Sequence, residues 1–389
     1  MPWKGQTMEE QRGSFVRQVL SQEKSKSALC REYGISRPTG DKWLKRYLNG
    51  ETLSDRSKAP HHTPSKTNSA TESAIVSLRL KHPAIGAKKL KRMLENKGEF
   101  APAYSTINAI LHRNGLITKE ASLAAKPHIR FEKQRPNEMW QGDFKGHFAM
   151  KNGQRCHPLT VIDDHSRFCL CLDAKTNEQY QGVQKSLLAA FEEYGLPETF
   201  LCDNGNPWGT SQSAGYTKFE VWLMDLGILT KHGRICHPQT QGKEERFNGS
   251  LKKELLKHRE IACLAHAQLE FDAYRRFYNQ ERPHHALGLE LPSQRYSKSG
   301  RKVPRHIEDW DYGQECHVRQ IKSSGYLTIK GQGYFLSEAF AGRRVGLREA
   351  GDAPGIFWVL YRQFCVATLN VDERILIAKS ASFSPPLSG

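Results

Sequence analysis

The chain has 389 residues, 38% of them hydrophobic and 25% charged, a composition that fits soluble globular domains with sizeable cores. At roughly one domain per 100–200 residues, this length predicts two to four domains. The formal net charge is +17, and residues 1–135, with 26 Lys and Arg against 12 Asp and Glu, carry +14 of it. Basic charge concentrated in one region favours a polyanionic partner.

Cysteine spacing and hydropathy argue against a disulfide-bonded, zinc-binding, secreted or membrane-spanning protein. The nine cysteines form no CxxC pair and have no zinc-ligand spacing with histidines, which predicts reduced thiols and a cytoplasmic chain. Cys169 and Cys171, two apart on a predicted strand, should share a face and be poor disulfide partners. The first twenty residues mix charges of both signs, so we expect no signal peptide. No run approaches the roughly 18 apolar residues of a membrane span.

Residues 1–50 are predicted to form a helix-turn-helix unit. Tyr33 ends one helix, Gly34 makes the turn, and Ser36 caps a second helix that begins with a proline-tolerant first turn. A generic helical hairpin is the alternative, and the net charge favours DNA binding. The second helix would present these basic residues to a DNA groove or backbone: Arg37, Lys42, Lys45 and Arg46.

A polar, Pro- and Ser-rich stretch over 51–70 reads as a linker. Residues 71–117 then predict a second helix-turn-helix unit of the winged type, with Ser105 capping its last helix, and 118–136 form a basic linker. We expect the basic face of this unit to contact DNA through Lys88, Lys89, Lys91 and Arg92.

The pattern over 137–260 changes to three strands, a helix, a strand, a helix, a strand and a final helix. This order predicts an α/β core around a five-stranded mixed sheet. Residues 261–311 are predicted to form a helical extension and linker. Short strands with a Gly-Gln-Gly turn over 312–376 predict a small β-barrel, followed by a tail over 377–389.

Two aspartates of the predicted core are candidates for chemistry. Asp143 lies in the first strand between aromatic residues, and Asp203 follows the fourth strand, where open α/β sheets bind ligands. A charge in an apolar strand is costly unless it is paired or metal-bound. The alternatives are an exposed strand residue for Asp143 and an ordinary Asn-Gly turn for Asp203. Asp163 and Asp164 lie at a hairpin, where acids are common, and we expect neither to bind metal.

Four motifs occur in order with domain-scale spacing: WQGDFKG (140–146), LCDNG (201–205), HPQTQGKEERFNGSLKKEL (237–255) and YNQERPHHALG (278–288). Together they resemble the DDE-type transposases of bacterial insertion sequences, whose retroviral-integrase-like catalytic core has an RNase-H-like fold. Any one motif is weak, but four in order are specific. The resemblance covers most of the chain, from helix-turn-helix units to the C-terminal small barrel.

The resemblance implies an Asp, Asp, Glu triad that holds two Mg²⁺ ions, for which Mn²⁺ can substitute. By position the triad is Asp143, Asp203 and one glutamate of KEER. Asp203 and Glu245 have 41 residues between them, more than is usual in the family, and the Gly- and Ser-rich loop 204–215 would absorb the excess as a surface insertion. The expected partners are double-stranded DNA, as element ends and target, and further copies of the chain; the expected location is the bacterial nucleoid.

Helical phase separates the two glutamates. Phe247, Leu251 and Leu255 are four apart and define a packed stripe. Glu244 is nearly in phase with Leu251, whereas Glu245 is about 120° away and faces a cleft. The family glutamate directly precedes Arg-Phe, which also selects Glu245. We therefore expect Glu245→Gln to abolish chemistry and Glu244→Val to be tolerated or stabilising. Nearby basic residues are expected to contact DNA: Lys243, Arg246 and Lys252.

The resemblance implies a transposase that binds terminal inverted repeats, cleaves phosphodiester bonds and joins the freed 3′-OH ends to target DNA. A catalytically inactive DNA-binding regulator derived from a transposase is the main alternative. A structure-selective nuclease on the same core is a third option, and it would need no helix-turn-helix units to read element ends.

Overall fold

The computed structural model describes residues 7–56, 67–117, 132–209, 215–233, 242–350 and 355–383. The chain divides into two compact units, Met1–Lys66 and Thr67–Gly389. Within the described ranges, no helix combines the length and apolar character needed to cross a membrane. The eight cysteines that fall in these ranges are all free, as expected of reduced thiols.

The first unit is a three-helix helix-turn-helix domain made of α1 (Met8–Leu20), α2 (Lys26–Glu32) and α3 (Arg37–Leu48). The predicted turn is confirmed: Gly34 has a φ of +65°, and the Ser36 side chain accepts a hydrogen bond from the Thr39 amide. Trp43 and Phe15 form the core together with Leu53. Leu53 lies within the stretch expected to be a linker, so this unit extends past position 50.

A second group of three helices opens the larger unit: α4 (Ser69–Lys81), α5 (Ala87–Asn96) and α6 (Tyr104–Arg113). Residues 67–117 are helical with no strand, so they contain no wing. The Ser105 cap is wrong, because α6 begins after Ala103 and no side chain caps it. The core of these helices includes Phe277 from the centre of the chain, whose ring stacks on His82 at a centroid distance of 4.3 Å.

The central α/β region follows the predicted order: β1 (Trp140–Phe144), β2 (Phe148–Ala149), β3 (Arg155–Asp163), β4 (Cys169–Lys175), α7 (Tyr180–Tyr194), β5 (Thr199–Cys202), α8 (Lys218–Asp225), β6 (Leu229–His232) and α9 (Gly242–Leu251). The sheet of described strands is mixed: β1 pairs antiparallel with β3 and parallel with β5, β5 pairs with β6, and β4 pairs with β3. The two-residue β2 is an addition to the five expected strands.

Helices cover both faces of this sheet. The helices α7 and α8 pack on one face around Trp140, Phe191 and Phe200. On the other face lie α9 and α10 (Leu264–Gln280), which contribute Phe247 and Phe271. The stretch 261–311, expected to be an extension, thus begins with a helix of the core itself and continues through the short α11 (Pro292–Arg295).

A β-bulge in the β3–β4 pairing places Cys169 and Cys171 on opposite faces. Val161 pairs with Cys171, but the next residue, Ile162, pairs with Cys169. The two thiols consequently belong to different core clusters, and the expectation of a shared face is wrong. The conclusion that they make no disulfide is unaffected.

The C-terminal region consists of β7 (His317–Gln320), β8 (Tyr326–Ile329), β9 (Gln332–Phe335), β10 (Arg344–Glu349), β11 (Ile356–Tyr361), β12 (Phe364–Asn370) and β13 (Ile375–Phe383). Its described strands form an antiparallel sheet in the order β13-β12-β11-β10-β7 and a separate β8–β9 hairpin. A closed barrel therefore stays a prediction. The last strand continues through the expected tail to Phe383. Leu347 and Phe364 of this region share a core with Tyr216 and Met224 of the α/β region.

Candidate active site

The two candidate aspartates lie side by side at the ends of neighbouring strands. In the parallel β1–β5 pairing Trp140 is level with Phe200 and Gln141 with Leu201. Continuing this register by two residues places Asp143 beside Asp203, on the same face of the sheet. The pairing therefore brings together two carboxylates that are far apart in the sequence.

The surroundings of Asp143 disfavour its negative charge. Burial, followed by the nearby charge of Asp203, raises the pKa of Asp143 to about 7, and Glu178 and Glu245 add smaller effects in the same direction. Asn248 of α9 donates a hydrogen bond from Nδ2 to Asp143 Oδ2 at 3.2 Å. Several carboxylates thus interact electrostatically at this edge of the sheet, and a cation would relieve their repulsion.

The two glutamates of α9 differ in how deeply they are buried. Phe247, Leu251 and Leu255 are buried, as their spacing predicts, and a π-helical turn, Lys252–Leu256, follows α9. Glu245 is exposed, while Glu244 is only 1% exposed. Residues 237–241 of the same motif lie outside the described residues.

The buried Glu244 is held by a residue that the sequence did not single out. Its Oε1 atom is 2.6 Å from the hydroxyl of Thr160, which also lies 3.0 Å from the carbonyl oxygen of Asp143. Burial raises the pKa of Glu244 well above its usual value. Among the described residues, Glu244 Oε2 and Asn248 Oδ1 are buried acceptor atoms without a hydrogen-bond donor.

The strand end that carries Asp203 is fixed by a histidine. His232 Nδ1 is 2.8 Å from the Asp203 carbonyl oxygen, and Nε2 is 2.9 Å from Glu220 Oε1 on α8. Burial opposes the charge on His232, but the hydrogen bonds to Glu220 and Asp203 outweigh it and raise its pKa. Sequence reasoning missed His232 and Glu220; the polar KH ending of an otherwise apolar strand was the available signal.

The loop after Asp203 is more deeply buried than the surface insertion predicted from the sequence. In the described part, 204–209, Trp208 is only 2% exposed and packs against Phe144, Phe200 and Phe219. Asn204 donates a hydrogen bond to the carbonyl of Gly233 at 2.9 Å. Residues 210–214 lie outside the described residues.

The acidic pair at the hairpin supports the fold. Asp163 accepts hydrogen bonds from the amides of Asn137 and Ser166 and from the Ser166 hydroxyl. Asp164 accepts hydrogen bonds from Gln141 and from the Lys133 amide, and it forms an ion pair with Lys243. Both aspartates are fully buried. Lys243, predicted to contact DNA, is instead engaged with a buried carboxylate.

The basic residues of α3 and α9 differ in accessibility. Arg37, Lys42 and Lys45 are exposed on α3. The Arg46 guanidinium lies over the Trp43 ring and 3.4 Å from Glu51, which corrects the expectation of a freely presented charge. On α9 and the π-helical turn, the exposed cations are Arg246 and Lys252.

Lys89 departs from the basic face predicted for α5. Lys89 is half-buried, unlike the exposed Lys88. Burial, followed by the neighbouring Arg282, lowers the pKa of Lys89 to about 7. Lys88 is exposed, and Lys91 and Arg92 form ion pairs with Glu95.

A metal ion would find suitable donors here but no assembled cluster. Within the described ranges, no three His, Cys, Asp or Glu side chains are arranged so that they could hold a metal ion together. Asp143 and Asp203 nevertheless provide adjacent carboxylates, the donors that Mg²⁺ prefers. The unsatisfied acceptors of Glu244 and Asn248 suit the water molecules of a hydrated cation. The donor set thus fits a divalent cation.

Families of known proteins match most of the chain. The integrase core domain matches residues 133–238, and a second integrase core domain family matches residues 226–292. A homeodomain-like domain matches residues 39–111 and a helix-turn-helix domain residues 11–61. The C-terminal domain of IS481 family transposases matches residues 316–375.

Together these matches make the chain similar to the insertion-sequence transposases with an integrase-like core.

Two similar proteins come from bacterial insertion elements. The chain is 27% identical over 237 residues to the uncharacterized 31.7 kDa protein of insertion element IS407 from Burkholderia multivorans, covering 59% of this chain and 82% of that protein. It is 28% identical over 239 residues to the uncharacterized 39.2 kDa protein of IS476 from Xanthomonas euvesicatoria, covering 59% of this chain and 66% of that protein. A solved structure, the HTLV-2 integrase catalytic core domain in complex with magnesium, is similar at 22% identity and a TM-score of 0.33, covering 42% of this chain and 97% of that one.

Proposed function

We propose that this protein is a transposase, which binds the terminal inverted repeats of an insertion element, cleaves a phosphodiester bond at each end and joins the freed 3′-OH to target DNA. In the first step the oxygen of water bonds to phosphorus, and the 3′ oxygen leaves as a hydroxyl. In the second step that 3′-OH attacks a target phosphodiester, whose own 3′ oxygen leaves. The protein would act in the bacterial cytoplasm, on the DNA of the nucleoid.

The observation that carries the proposal is the convergence of carboxylates at one sheet edge. Asp143 and Asp203 are adjacent through the β1–β5 register, and Glu245 on α9 lies close enough to Asp143 to affect its pKa. The Asp203 carboxylate accepts a hydrogen bond from the Gly205 amide at 3.0 Å, as in a turn, and the Asp143 carboxylate accepts one from Asn248, but neither bond removes the repulsion between the two acids. A bound cation would relieve this repulsion.

Asp143, Asp203 and Glu245 are the residues that would hold two Mg²⁺ ions, or Mn²⁺ in their place. When bound, such ions activate the attacking oxygen and stabilise the leaving one. The protein itself orients the carboxylates: Asn248 holds Asp143 by a hydrogen bond, and His232 holds the backbone of Asp203. No side-chain nucleophile is required.

The basic residues would position DNA around this site. Arg246 and Lys252 are exposed on the helix that carries Glu245, and we assign them to DNA phosphates. The exposed cations Arg37, Lys42 and Lys45 of α3 and Lys88 of α5 would contact the element end. We also assign to this DNA the half-buried Lys91 and Arg92, which pair with Glu95 in the absence of DNA. Cleaving and joining two ends together requires more than one copy of the chain on the DNA.

The decisive experiment is a strand-joining assay. The chain is incubated with labelled DNA carrying the element's end, target plasmid and Mg²⁺, and the joined product is quantified. We expect Asp143→Asn, Asp203→Asn and Glu245→Gln each to lower joining by at least ~10³-fold while end binding in a mobility-shift assay is kept.

Glu260→Gln is the matched control, because this exposed glutamate pairs with Lys151 away from the acidic edge. It should join DNA like the wild type. A triad variant with full activity would remove that residue from the site. Loss of joining in the control as well would point to damage of the fold rather than of the chemistry.

The same assay separates the alternatives. End binding without cleavage or joining, in Mg²⁺ and in Mn²⁺, would favour a DNA-binding regulator derived from a transposase. Cleavage without joining would favour a nuclease. The carboxylate arrangement favours the transposase over the regulator, because a protein that only binds DNA gains nothing from mutually repelling acids.

A further inference from the structure

The hydroxyl of Thr160 lies at the junction between the first strand of the core and α9. Thr160 is opposite Asp143 in the antiparallel β1–β3 pairing and is fully buried. Its Oγ1 atom is 3.0 Å from the carbonyl oxygen of Asp143 and 2.6 Å from Glu244 Oε1. A single side chain thus contacts the backbone of one candidate metal ligand and the residue next to another.

The helix α9 depends on such polar contacts for its exact placement. Its apolar side chains Phe247 and Leu251 pack on the sheet, and apolar contact is non-directional. A hydrogen bond loses strength with small changes in distance and angle, so it fixes position more sharply. Glu244 lies in the first turn of α9, directly before Glu245, and its hydrogen bond with Thr160 links this turn to β3.

We propose that Thr160 is a positioning residue for the acidic site, whose hydroxyl joins the Asp143 backbone to the first turn of α9 and so sets the distance between Asp143 and Glu245. This inference rests on the proposed function, since it concerns the placement of the residues assigned to Mg²⁺. Thr160 itself touches neither metal nor DNA.

A merely structural role for Thr160 makes a different prediction. A hydroxyl that only satisfies buried acceptors would affect the stability of the fold and leave cation binding unchanged. A hydroxyl that sets the spacing of carboxylates would change the affinity for the cation itself. Groups that orient metal ligands typically alter metal affinity or activity about 10–100-fold when removed.

The test compares three variants of the full chain. Thr160→Val keeps the shape of the side chain and removes the hydroxyl, whereas Thr160→Ser keeps the hydroxyl. Thr230→Val is the matched control: Thr230 is a buried threonine of the same sheet whose Oγ1 has no hydrogen-bond partner among the described residues. Affinity for Mg²⁺ alone is measured by calorimetry, and strand joining is measured across a Mg²⁺ titration.

We expect Thr160→Val to weaken Mg²⁺ binding by about 10–100-fold and to shift the Mg²⁺ dependence of joining by a similar factor. Thr160→Ser should recover most of the affinity, and Thr230→Val should match the wild type. Wild-type Mg²⁺ affinity in a folded Thr160→Val, or equal loss in Thr160→Val and Thr160→Ser, would overturn the inference.

If Thr160→Val does not fold, the link is tested from its other end. Glu244→Gln keeps a polar partner for Thr160, and Glu244→Leu does not. Weaker Mg²⁺ binding in the leucine variant alone supports the inference, and equal affinities overturn it.

A wild-type chain that binds no Mg²⁺ and joins no DNA overturns the proposed function together with the inference. A fully active wild type with an unaffected Thr160→Val overturns the inference alone.

Discussion

Gly142, the residue before Asp143, leaves space for a neighbouring aromatic ring. A Cβ atom at this position would lie 2.4 Å from Cζ of Phe200. Phe200 is enclosed in the cluster that contains Trp140 and Phe191, so its ring has little room to move. We expect Gly142→Ala to lower the free energy of unfolding by about 1–3 kcal/mol, measured by urea denaturation.

Gly182 in α7 provides the opposite case, because a Cβ atom there meets nothing within 4 Å. Gly182→Ala should raise the free energy of unfolding by roughly 0.5–1 kcal/mol through the helix propensity of alanine. If Gly142→Ala had the same free energy of unfolding as the wild type, the Phe200 ring would be able to move aside without loss of stability.

The glutamates of α9 illustrate how far single residues can be predicted. Helical phase was sufficient to separate the buried Glu244 from the exposed Glu245, because phase depends only on neighbours along one helix. The Thr160 contact of Glu244 could not be foreseen, since the partner lies 84 residues away. Glu244→Val is still expected to be tolerated for stability, as it removes a buried oxygen without a donor. Its effect on the site now depends on the Thr160 link.

At the scale of elements, a buried ion pair joins the segment that directly follows α10 to the π-helical turn after α9. Arg282 contacts both carboxylate oxygens of Glu254, at 2.7 and 2.6 Å, with side chains only 5% and 10% exposed. Arg282→Met would leave Glu254 as an unpaired buried charge, so we expect a loss of about 3–5 kcal/mol in the free energy of unfolding.

An exposed ion pair of similar geometry is the comparison for Arg282. Arg295 lies 2.6 Å from Glu290, with side chains 37% and 42% exposed. Arg295→Met should change the free energy of unfolding by at most ~0.5 kcal/mol in the same denaturation experiment. Similar losses in the two variants would contradict the burial argument.

The packing of α5 on the core predicts a pH-dependent effect at Lys89. Its pKa is about 7 in the folded chain and about 10.4 in an unfolded one, so between these values the unfolded chain binds more protons and stability rises with pH. Below pH 7 the charged amine imposes its full cost. We expect Lys89→Met to stabilise the chain by about 1–3 kcal/mol at pH 6, with the gain disappearing above about pH 10.5.

Thermal unfolding at pH 6, 8 and 10 measures this effect, and Lys88→Met is the control. Lys88 is exposed on the same helix, so its substitution should give a small change that does not vary with pH in this range. A pH-independent effect of Lys89→Met would mean that its amine reaches solvent.

Elements with their own local signals were predicted better than their associations. The Ser36 cap and the Gly34 turn were right because both depend on adjacent residues. The packing of α10 into the core was missed, since its partners lie on β4 and α9 rather than nearby in sequence. The Ser105 cap failed by two positions, as helix ends are set by few interactions. Alternation of residues predicts strands but not whether a sheet closes, so the C-terminal barrel could not be decided from sequence.

At the scale of the whole molecule, the net charge of +17 predicts salt-sensitive DNA binding. Replacing Arg37, Lys42 and Lys45 together by alanine should reduce the slope of log affinity against log salt by about 0.9 for each phosphate that is no longer neutralised. Fluorescence anisotropy with end DNA over a range of NaCl measures the slope. Lys151→Ala, at an exposed residue paired with Glu260, should leave it unchanged. An unaltered slope in the triple variant would place the DNA elsewhere.

The stacking of His82 on Phe277 has a consequence for where the DNA is cut. This stack and the shared core around it join the α4–α6 helices to the sheet that carries Asp143. Because the α4–α6 helices are packed in this way, they cannot bind DNA at a position that varies relative to the acidic edge. On the proposed function, the number of base pairs between the sequence they recognise and the scissile phosphate is therefore set by the fold. Weakening the stack, as in Phe277→Ala, should spread cleavage over neighbouring phosphodiester bonds before it abolishes cleavage.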